Sequence, residues 1–528
     1  LTDTQSITVT VTNVDEVVII DEPVMQLTSI ISNVVITGTG YLTLTGGAGI
    51  IGSVELSSGA QLSLKDAGII EGNVELSSEA KLTLEGAGSI EGNVIITQGG
   101  SLIATEGSIT GAITYKRTLP TTNWYLISSP VTGQDKDEFV AASNLAVDSG
   151  TNLGFCNYDN SLANWNFYQS GASGTGDFVS GEGHSVKLNV AGEVVFTGDF
   201  NNADASIAVT AGTNGLNLIG NPYLASVSVF EMLTQTDNLN LLSERTVWLW
   251  DESESLYVAK NLTEDLEVAP GQGFFVNVAS SGNFIITESM QSHAEDTFQR
   301  GETSSKVALS ISNGEAIKRA SVFYIDGATT GFDNGYDSSI FEDLPAEFSL
   351  YTRAVANENG RNLGIQSLPK GDYQNIIVPV GIRAASKSTL AFSASSQNLT
   401  EGTYVYLEDR VTNSFTRIDN NTYNVSLSST LDGVGRFYMH TISSSLGNDN
   451  LTFSGVKIFS LDNRTLRVLG VEQQAKLKLY SILGAEVLKT NFIGTGANNL
   501  ALPYLKTGIY ILELDTNKGV LNKKIIIE

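Results

Sequence analysis

Few side chains in this sequence could carry out acid–base or nucleophilic chemistry, and they stand far apart. The three histidines, His184, His293 and His440, are widely separated along the chain, so no two neighbouring imidazoles could share a metal or relay a proton. The patterns HExxH, GxSxG and GxxxxGK[ST] are all absent. We therefore predict that the chain is not an enzyme and has no catalytic residues and no organic cofactor.

Oxygen ligands for a cation come close together at one place, the stretch TTGFDNGYDSSIF. Asp333 and Asp337 lie four residues apart there, with Asn334 between them. Calcium takes carboxylate and carbonyl oxygens of this kind. The spacing does not match the EF-hand pattern of alternating ligands that ends in a glutamate, and Asp and Asn also cap turns without any metal. A turn is therefore the first interpretation of this stretch, and a calcium site is the alternative.

Composition and charge exclude several classes of function. The chain has 30 basic and 57 acidic residues, a formal net charge of −27, which excludes general nucleic-acid binding. No apolar run approaches the length of about 18 residues that spans a bilayer, so no direct membrane insertion is expected. A single cysteine excludes an internal disulfide and favours a bacterial surface protein over a eukaryotic extracellular one. Abundant glycine, threonine, valine and isoleucine indicate an all-β fold.

A pattern of 20 residues repeats four times between residues 31 and 114. The copies are SNVVITGTGYLTL, GSVELSSGAQLSL, GNVELSSEAKLTL and GNVIITQGGSLIA. Their apolar positions form three columns: Val34, Val54, Val74 and Val94; Ile36, Leu56, Leu76 and Ile96; Leu42, Leu62, Leu82 and Leu102. Stacking identical rungs buries a continuous core. We predict a short parallel β-helix over residues 21–114, acting as a rigid spacer, with ligand binding on its flank as the alternative.

A second internal duplication covers residues 115–300. The matched blocks are WYLISSP with LNLIGNP, CNYD with WLWD, GEGHSVKL with GQGFFVNV, and VVFTGDF with FIITESM, at offsets of 92 or 90 residues. Cys156 stands where the second copy has Trp248, which predicts a core residue and not a nucleophile. We expect a duplicated β module here. The pattern LIGNPY … VWLWD … APGQGFFV resembles a module common in large secreted proteins of Bacteroidota.

Residues 301–450 show strand patterns separated by polar turns. The spacing predicts an antiparallel, jelly-roll-like sandwich. This region resembles the β-sandwich that often precedes a sorting domain in the same bacterial proteins. Its last residues, SSSLGNDN at 443–450, are polar and predict a linker.

Residues 451–528 contain seven short strand patterns, which predict a small Ig-like sandwich. The segment KLYSILGAEVLKT … LALPYLKTGIYILELDTNKGVLNKKIIIE resembles a type IX secretion C-terminal sorting domain of type A. That family has a Leu-Tyr-x-x-x-Gly-x-x-Val core, a Leu-x-x-Gly-x-Tyr motif and a final strand that bears lysines. The residues that match are Leu479, Tyr480, Gly484, Val487, Leu505, Gly508, Tyr510, Lys523 and Lys524. SGVKIFSLDNRTL stands where many members have a Pro-Asn-Pro motif.

The resemblance implies an export address. After Sec export, the domain would be recognised by the type IX outer-membrane translocon and bound by a β-barrel shuttle protein. A sortase would then cleave it and attach the cargo to surface lipopolysaccharide, or the cargo would be released. The implied localisation is extracellular, at the surface of a Gram-negative bacterium.

The C-terminal unit also differs from the rest of the chain in charge. Residues 455–528 hold ten basic and six acidic residues, a net +4, whereas the remainder holds 20 and 51, a net −31. A basic end on an acidic body can dock on an acidic receptor. The alternative is that Lys523 and Lys524 protect an edge strand from aggregation.

The first residues also carry a resemblance. TDTQSITVTVTNVDE is similar to the last strand and exit linker of a cadherin-like repeat, which we assign to residues 1–20. Such linkers help bind calcium, and Asp15 and Glu16 stand at that position. The start lacks the basic and apolar regions of a signal peptide, and we expect the natural protein to continue upstream of Leu1.

Two hypotheses for function follow. In the first, the chain is the C-terminal region of an adhesin-like surface protein that ends in its export signal. In the second, it is the accessory and sorting region of a large secreted glycan-active enzyme whose catalytic domain precedes Leu1. Cadherin-like repeats upstream would favour the first hypothesis, and a hydrolase domain would favour the second.

Overall fold

The structure is a computed structural model of the 528-residue chain. It describes residues 17–26, 29–77, 79–253, 255–294, 305–341, 347–356, 360–370, 376–443, 456–462 and 464–527. The chain divides into two compact units, residues 1–301 and 302–528. The strand that the sequence predicts before residue 16, together with Asp15 and Glu16, lies outside the described residues.

The first unit begins with a stack of short strands that winds as a solenoid. Its strands are β1 Val17–Ile20, β2 Pro23–Gln26, β3 Asn33–Ile36, β4 Tyr41–Leu44, β5 Gly49–Ile50, β6 Val54–Leu56, β7 Gln61–Leu64, β8 Ile69–Ile70, β9 Val74–Leu76, β10 Lys81–Leu84, β11 Ser89–Ile90, β12 Val94–Thr97, β13 Ser101–Ala104, β14 Ser108–Ile109 and β15 Ile113–Leu119. They form three parallel sheets, ordered β1-β3-β6-β9-β12-β15, β2-β4-β7-β10-β13 and β5-β8-β11-β14. The predicted parallel β-helix is confirmed.

The repeat columns of the sequence are the core columns of the solenoid. Val54 pairs with Val34 above it and with Val74 below it, and the leucine and isoleucine columns follow the same register. All twelve column residues are 2% exposed or less. Because each rung repeats the apolar positions of the one before, their burial is continuous along the stack.

Glycine is required where successive rungs turn. A Cβ on Gly72 would lie 2.2 Å from the carbonyl oxygen of Gly52, and a Cβ on Gly92 would lie 2.2 Å from that of Gly72. The adjacent asparagines fix the same corner, since Asn73 Oδ1 accepts a hydrogen bond from the amide of Asn93 at 2.9 Å. The rungs can therefore stack this closely only where the corner has no side chain.

The predicted duplication is present in the topology of the remainder of the first unit. The first copy holds β16 Trp124–Ser128, α1 Lys136–Ala142, β17 Asn152–Asp159, β18 Asn164–Gln169, β19 Gly183–Lys187 and β20 Gly192–Gly198. The second holds β21 Ala205–Val209, β22 Leu216–Gly220, β23 Ser226–Ser228, α2 Val229–Thr234, α3 Thr236–Leu241, β24 Leu242–Asp251, β25 Leu256–Lys260, β26 Glu267–Val268, β27 Gly273–Val278, β28 Gly282–Ile286, a 3-10 helix Glu288–Met290 and β29 Gln291–Ser292. The sheets β16-β19-β17-β18 and β22-β27-β24-β25 have the same strand order.

The duplicated module also closes the end of the solenoid. β15 pairs in parallel with β12 of the last rung and antiparallel with β20 of the first copy. The corresponding pair in the second copy is β21 with β28. The amide of Leu102, on β13, donates to the carbonyl of Leu224 at 3.0 Å. Backbone groups at the end of the stack are thus paired with the module that follows.

The second unit begins with the predicted sandwich. Its strands are β30 Ser305–Ser312, β31 Ile317–Ile325, β32 Ser338–Ser339, β33 Ser349–Thr352, β34 Leu363–Pro369, β35 Ile377–Ala384, β36 Thr389–Gln397, β37 Thr403–Asp409, β38 Ser414–Arg417, β39 Tyr423–Ser426 and β40 Leu431–Ser443. They belong to one sheet, ordered β38-β37-β40-β35-β33-β34-β31-β30-β36-β39, with β32 paired to β34. Residues from both ends of this order share one apolar core, so the sheet curls around it. The pair β31 and β34 is parallel, unlike the antiparallel pairing that the sequence predicts.

The last domain has the seven strands expected of an Ig-like sandwich. They are β41 Lys457–Asp462, β42 Thr465–Val471, β43 Gln474–Ser481, β44 Glu486–Ile493, β45 Gly496–Ala501, β46 Gly508–Thr516 and β47 Gly519–Ile527. The antiparallel sheets β41-β42-β45 and β44-β43-β46-β47 pack around one core. None of the helices in the described part of the chain has the length and apolar character needed to cross a membrane.

We expect Gly72→Ala to destabilise the first unit by about 1–3 kcal/mol, because the new methyl group would overlap the Gly52 carbonyl. Gly192→Ala is the matched control, since a Cβ there meets its nearest atom at 3.8 Å. Urea unfolding of both variants would measure the difference. Equal midpoints for the two would show that the corner tolerates a side chain.

Candidate functional site in the C-terminal sandwich

The Leu-Tyr pair of the recognised motif lies on β43, in the middle of the four-stranded sheet. Leu479 is fully buried and pairs with Leu512 of β46. Tyr480 follows it on the opposite face, because successive side chains of a strand alternate. Tyr480 stands opposite Ile511, and Ile511 stands opposite Lys524 of β47. The register therefore lines up Tyr480, Ile511 and Lys524 in one row on the outer face of the sheet.

Gly484 lies in the turn that joins β43 to β44. Its φ is +82°, a conformation that glycine adopts without the cost that a Cβ would bring. Its amide donates to the carbonyl of Ser481 at 2.9 Å, which closes the turn. The turn presents Leu483, which is 92% exposed, while Val487 packs against the core just after it. The predicted tight turn is confirmed.

The Leu-x-x-Gly-x-Tyr motif forms a corner ahead of the final hairpin. Tyr510 is 8% exposed, and its hydroxyl donates to the carbonyl of Lys506 at 2.8 Å. A tyrosine that bonds back to the backbone a few residues upstream is the tyrosine corner of Ig-type sandwiches. Leu505 packs against the same core, and Gly508 begins β46. This motif fixes the path by which the chain enters the hairpin.

The two lysines of the last strand occupy different environments. Lys523 stands opposite Leu512, on the same face as the buried Ile525, and burial lowers its pKa. Lys524 is exposed on the outer face. β47 is the edge strand of its sheet. The sequence therefore locates the basic strand, but Lys523 is partly buried and Lys524 is the exposed one of the pair.

Several of the nine motif residues thus form the core, the turn and the corner of the domain. The surface beside them has exposed apolar side chains that the motif did not identify. Ile482, Leu483, Tyr504, Ile509 and Ile511 are all exposed apolar residues of this domain. Ile509 and Ile511 alternate with the buried Tyr510 and Leu512. That alternation is visible in the sequence, so it could have marked the two isoleucines as a surface pair.

The calcium candidates near residue 333 are engaged by their own loop. The carboxylate of Asp333 accepts hydrogen bonds from the amide and hydroxyl of Thr329 at 2.6 and 3.0 Å. Asp337 is fully buried, and its carboxylate accepts from the amides of Asp333 and Ser367. Among the described residues, no three His, Cys, Asp or Glu side chains group closely enough to hold a metal ion. These contacts support the turn, and the calcium site stays a prediction.

The isolated titratable groups are buried or partly buried. Cys156 is buried, and burial raises the pKa of its thiol to about 12, so the thiol stays protonated at neutral pH. Burial also lowers the pKa of His184 to about 3 and that of His293 to about 4. His184 stacks on Phe155 at 4.9 Å between ring centroids. Its Nε2 lies 3.9 Å from the carboxylate of Glu182.

Because His184 stays neutral in the folded chain, we expect acid to destabilise the first unit. The unfolded histidine takes up a proton below about pH 6.5, whereas the folded one does not until about pH 3, so stability falls as pH decreases between these values. His184→Phe should make the loss between pH 7 and pH 5 smaller by about 1–2 kcal/mol. Phenylalanine fits this test because the second copy has Phe274 at the matching position, also fully buried. Denaturant unfolding at both pH values measures the effect, and an unchanged pH dependence in the variant would contradict it.

Two family models match the chain. A family model described as a domain of unknown function (DUF8693) matches residues 4–263 and 257–440. A second, described as a secretion system C-terminal sorting domain, matches residues 460–528. No curated protein matches the chain.

The second match confirms the type IX sorting domain that the motifs predict. It indicates a secreted protein that interacts with the type IX machinery and is exported to the cell surface or extracellular space of a Gram-negative bacterium. The first match covers most of the remaining chain. The chain therefore belongs to the family described as domain of unknown function (DUF8693), and its residues 460–528 are a type IX secretion sorting domain.

Proposed function

We propose that this chain is part of an adhesin-like surface protein of Bacteroidota and that its sorting domain is recognised through the outer face of the last hairpin. The observation that carries the proposal is the row Tyr480, Ile511 and Lys524, which brings two motif residues together around an exposed apolar side chain. A β-barrel shuttle protein and the translocon would contact this face. A sortase would act on the chain ahead of it.

Charge and edge exposure support this choice of face. The sorting domain carries +4 while the rest of the chain carries −31, so an acidic receptor attracts this end and repels the body. β47 is an edge strand, and its unpaired backbone groups offer a second means of binding to a receptor strand.

We expect Lys524→Glu to lower the fraction of the protein at the cell surface several-fold and to raise the fraction retained in the periplasm. The reason is that it reverses the charge of the recognition row without touching the core. Deleting residues 523–528 tests the recognition face less well than this substitution does. Ile525 and Ile527 belong to the core, so their loss would unfold the domain.

Lys518→Glu is the matched control, since Lys518 is an exposed lysine in the turn of the same hairpin. Surface proteolysis of intact cells and cell fractionation would measure both variants. Equal surface display of Lys524→Glu and the wild type would refute the proposed recognition face. It would not affect the assignment of residues 460–528 as a sorting domain.

For the cargo, we infer that it binds a ligand and does not catalyse a reaction. A polar pocket of about 450 Å³ lies where the solenoid meets the duplicated module. Lys81 and Arg117 line it, and neither forms an ion pair with a described carboxylate. His293 forms its wall, with ring nitrogens 2.9 Å from the Ser101 hydroxyl and 3.0 Å from the Thr83 hydroxyl. The lining thus has two cations against one carboxylate, Glu79, although Arg117 also donates to the carbonyl of Pro270 at 2.8 Å, and this balance favours an acidic saccharide as the ligand.

Calorimetric titration of the full chain with galacturonate oligosaccharides would test the pocket. We expect binding that Lys81→Gln weakens and that neutral malto-oligosaccharides do not reproduce. Lys65→Gln serves as the control, because Lys65 lies on the solenoid but is paired with Glu85 at 3.1 Å. The ligand assignment fails if Lys81→Gln binds galacturonate as the wild type does, or if no binding is seen.

A further inference from the structure

The sorting domain is packed against the sandwich that precedes it in the second unit. Phe415 of β38 forms a buried apolar cluster with Leu469 of β42 and Ala497 of β45. Tyr406 and Phe459 pack around this cluster, one from each domain. The contact uses the three-stranded sheet of the sorting domain, so the four-stranded sheet with the recognition row is the one left uncovered by it.

A buried carboxylate stands at the centre of this contact. Glu408 of β37 has no exposed surface, and Arg467 of β42 is 2% exposed. The guanidinium of Arg467 forms an ion pair with Glu408. Arg410 contributes a second ion pair at 3.2 Å, and His440 Nε2 lies 2.8 Å from the other carboxylate oxygen. One cation from the sorting domain thus completes a cluster whose other members belong to the sandwich.

The protonation states in this cluster follow from its geometry. Burial raises the pKa of Glu408, but the hydrogen bond from His440 and the positive charges of Arg410 and Arg467 outweigh it and lower the pKa to about 2. His440 is itself buried, which lowers its pKa to about 4. A carboxylate can only accept hydrogen bonds, so the neutral ring donates from Nε2. At neutral pH Glu408 is therefore the one negative charge named in the cluster, and it forms ion pairs with both Arg467 and Arg410.

The ion pair of Glu408 with Arg467 joins the two domains beside the apolar cluster. Replacing one partner of such a buried pair is costly, because the remaining charge then stays in a site with little water to solvate it. Arg467 is also fixed on its own side, since its Nη1 donates to Asn499 Oδ1 at 2.7 Å. Lys457, 6% exposed, adds a contact from its Nζ to the carbonyl of Ile376 at 3.4 Å. Two of the basic residues of the sorting domain are thus engaged with the sandwich and not with solvent.

We propose that the sandwich holds the sorting domain non-covalently through the contact of Glu408 with Arg467, so that cutting the chain between the two domains does not release the sorting domain. The biological meaning of this contact rests on the proposed function, in which a sortase cuts ahead of the sorting domain. Release after cleavage then requires a second event that opens the contact. The surface of the sandwich around Phe415 and Glu408 is thus covered by the sorting domain of the same chain.

The test uses the full chain with a specific protease site inserted in residues 444–455, which lie outside the described part. After complete cleavage, size-exclusion chromatography under native conditions should recover the C-terminal fragment together with the rest of the protein. Glu408→Gln should raise the dissociation constant of the fragment about 30-fold or more, because it leaves Arg467 buried without its ion pair. Lys478→Met is the matched control: it removes an ion pair with Glu513, at 2.6 Å, that lies within the four-stranded sheet.

Separation of the wild-type fragment after cleavage would overturn the proposal, as would a Glu408→Gln fragment that stays bound as tightly as the wild type. If Glu408→Gln does not fold, Ala497→Arg tests the same contact from the other side, because Ala497 is 3% exposed between Phe415 and Leu469. The assay contains no secretion machinery, so its failure would not bear on export. Surface display of the uncut Glu408→Gln chain tests export separately.

Discussion

An unpaired strand edge is a row of backbone donors and acceptors that must be paired, covered or left for a partner. In this chain, whose regular structure is mostly strand, the solenoid meets that constraint with the module that follows it. The parallel sheet of the solenoid continues into β15 and then into β20 of the duplicated module. In the second unit the sandwich sheet curls around its own core. The arrangement leaves β47, in the domain that the export machinery handles, as an edge strand.

Regular patterns made much of this fold predictable. The solenoid follows from three columns of residues at a spacing of 20, because the same spacing sets both the sequence period and the stacking of rungs. The duplicated module follows from blocks at constant offset, and its two sheets repeat one strand order. The parallel pair of β31 with β34 was not predictable, since its partners are distant in sequence and share no local pattern. The strand before residue 16 lies outside the described residues and stays a prediction.

The candidate site was predictable in a more limited way. The motif identified the domain because residues such as Leu479 and Tyr510 are needed for its core and its corner. The same requirement makes these two unsuitable for recognition, since they are buried, and Val487 and Leu505 also pack against the core. Which lysine faces solvent depends on strand register, which placed Lys523 inward and Lys524 outward. The contact of Arg467 with Glu408 could not be foreseen, because isolated charges far apart in sequence carry no period that links them.

The solenoid has a consequence for how the protein could vary in size. Neighbouring strands in a sheet lie about 4.8 Å apart, so each 20-residue rung adds one fixed increment of height. Every rung contacts only the rungs above and below it, and Gly52, Gly72 and Gly92 mark equivalent corners. Gain or loss of a whole rung between two such corners would therefore lengthen or shorten the stack by one increment without disturbing the module that caps it. The height of such a region can therefore evolve by duplication of whole rungs.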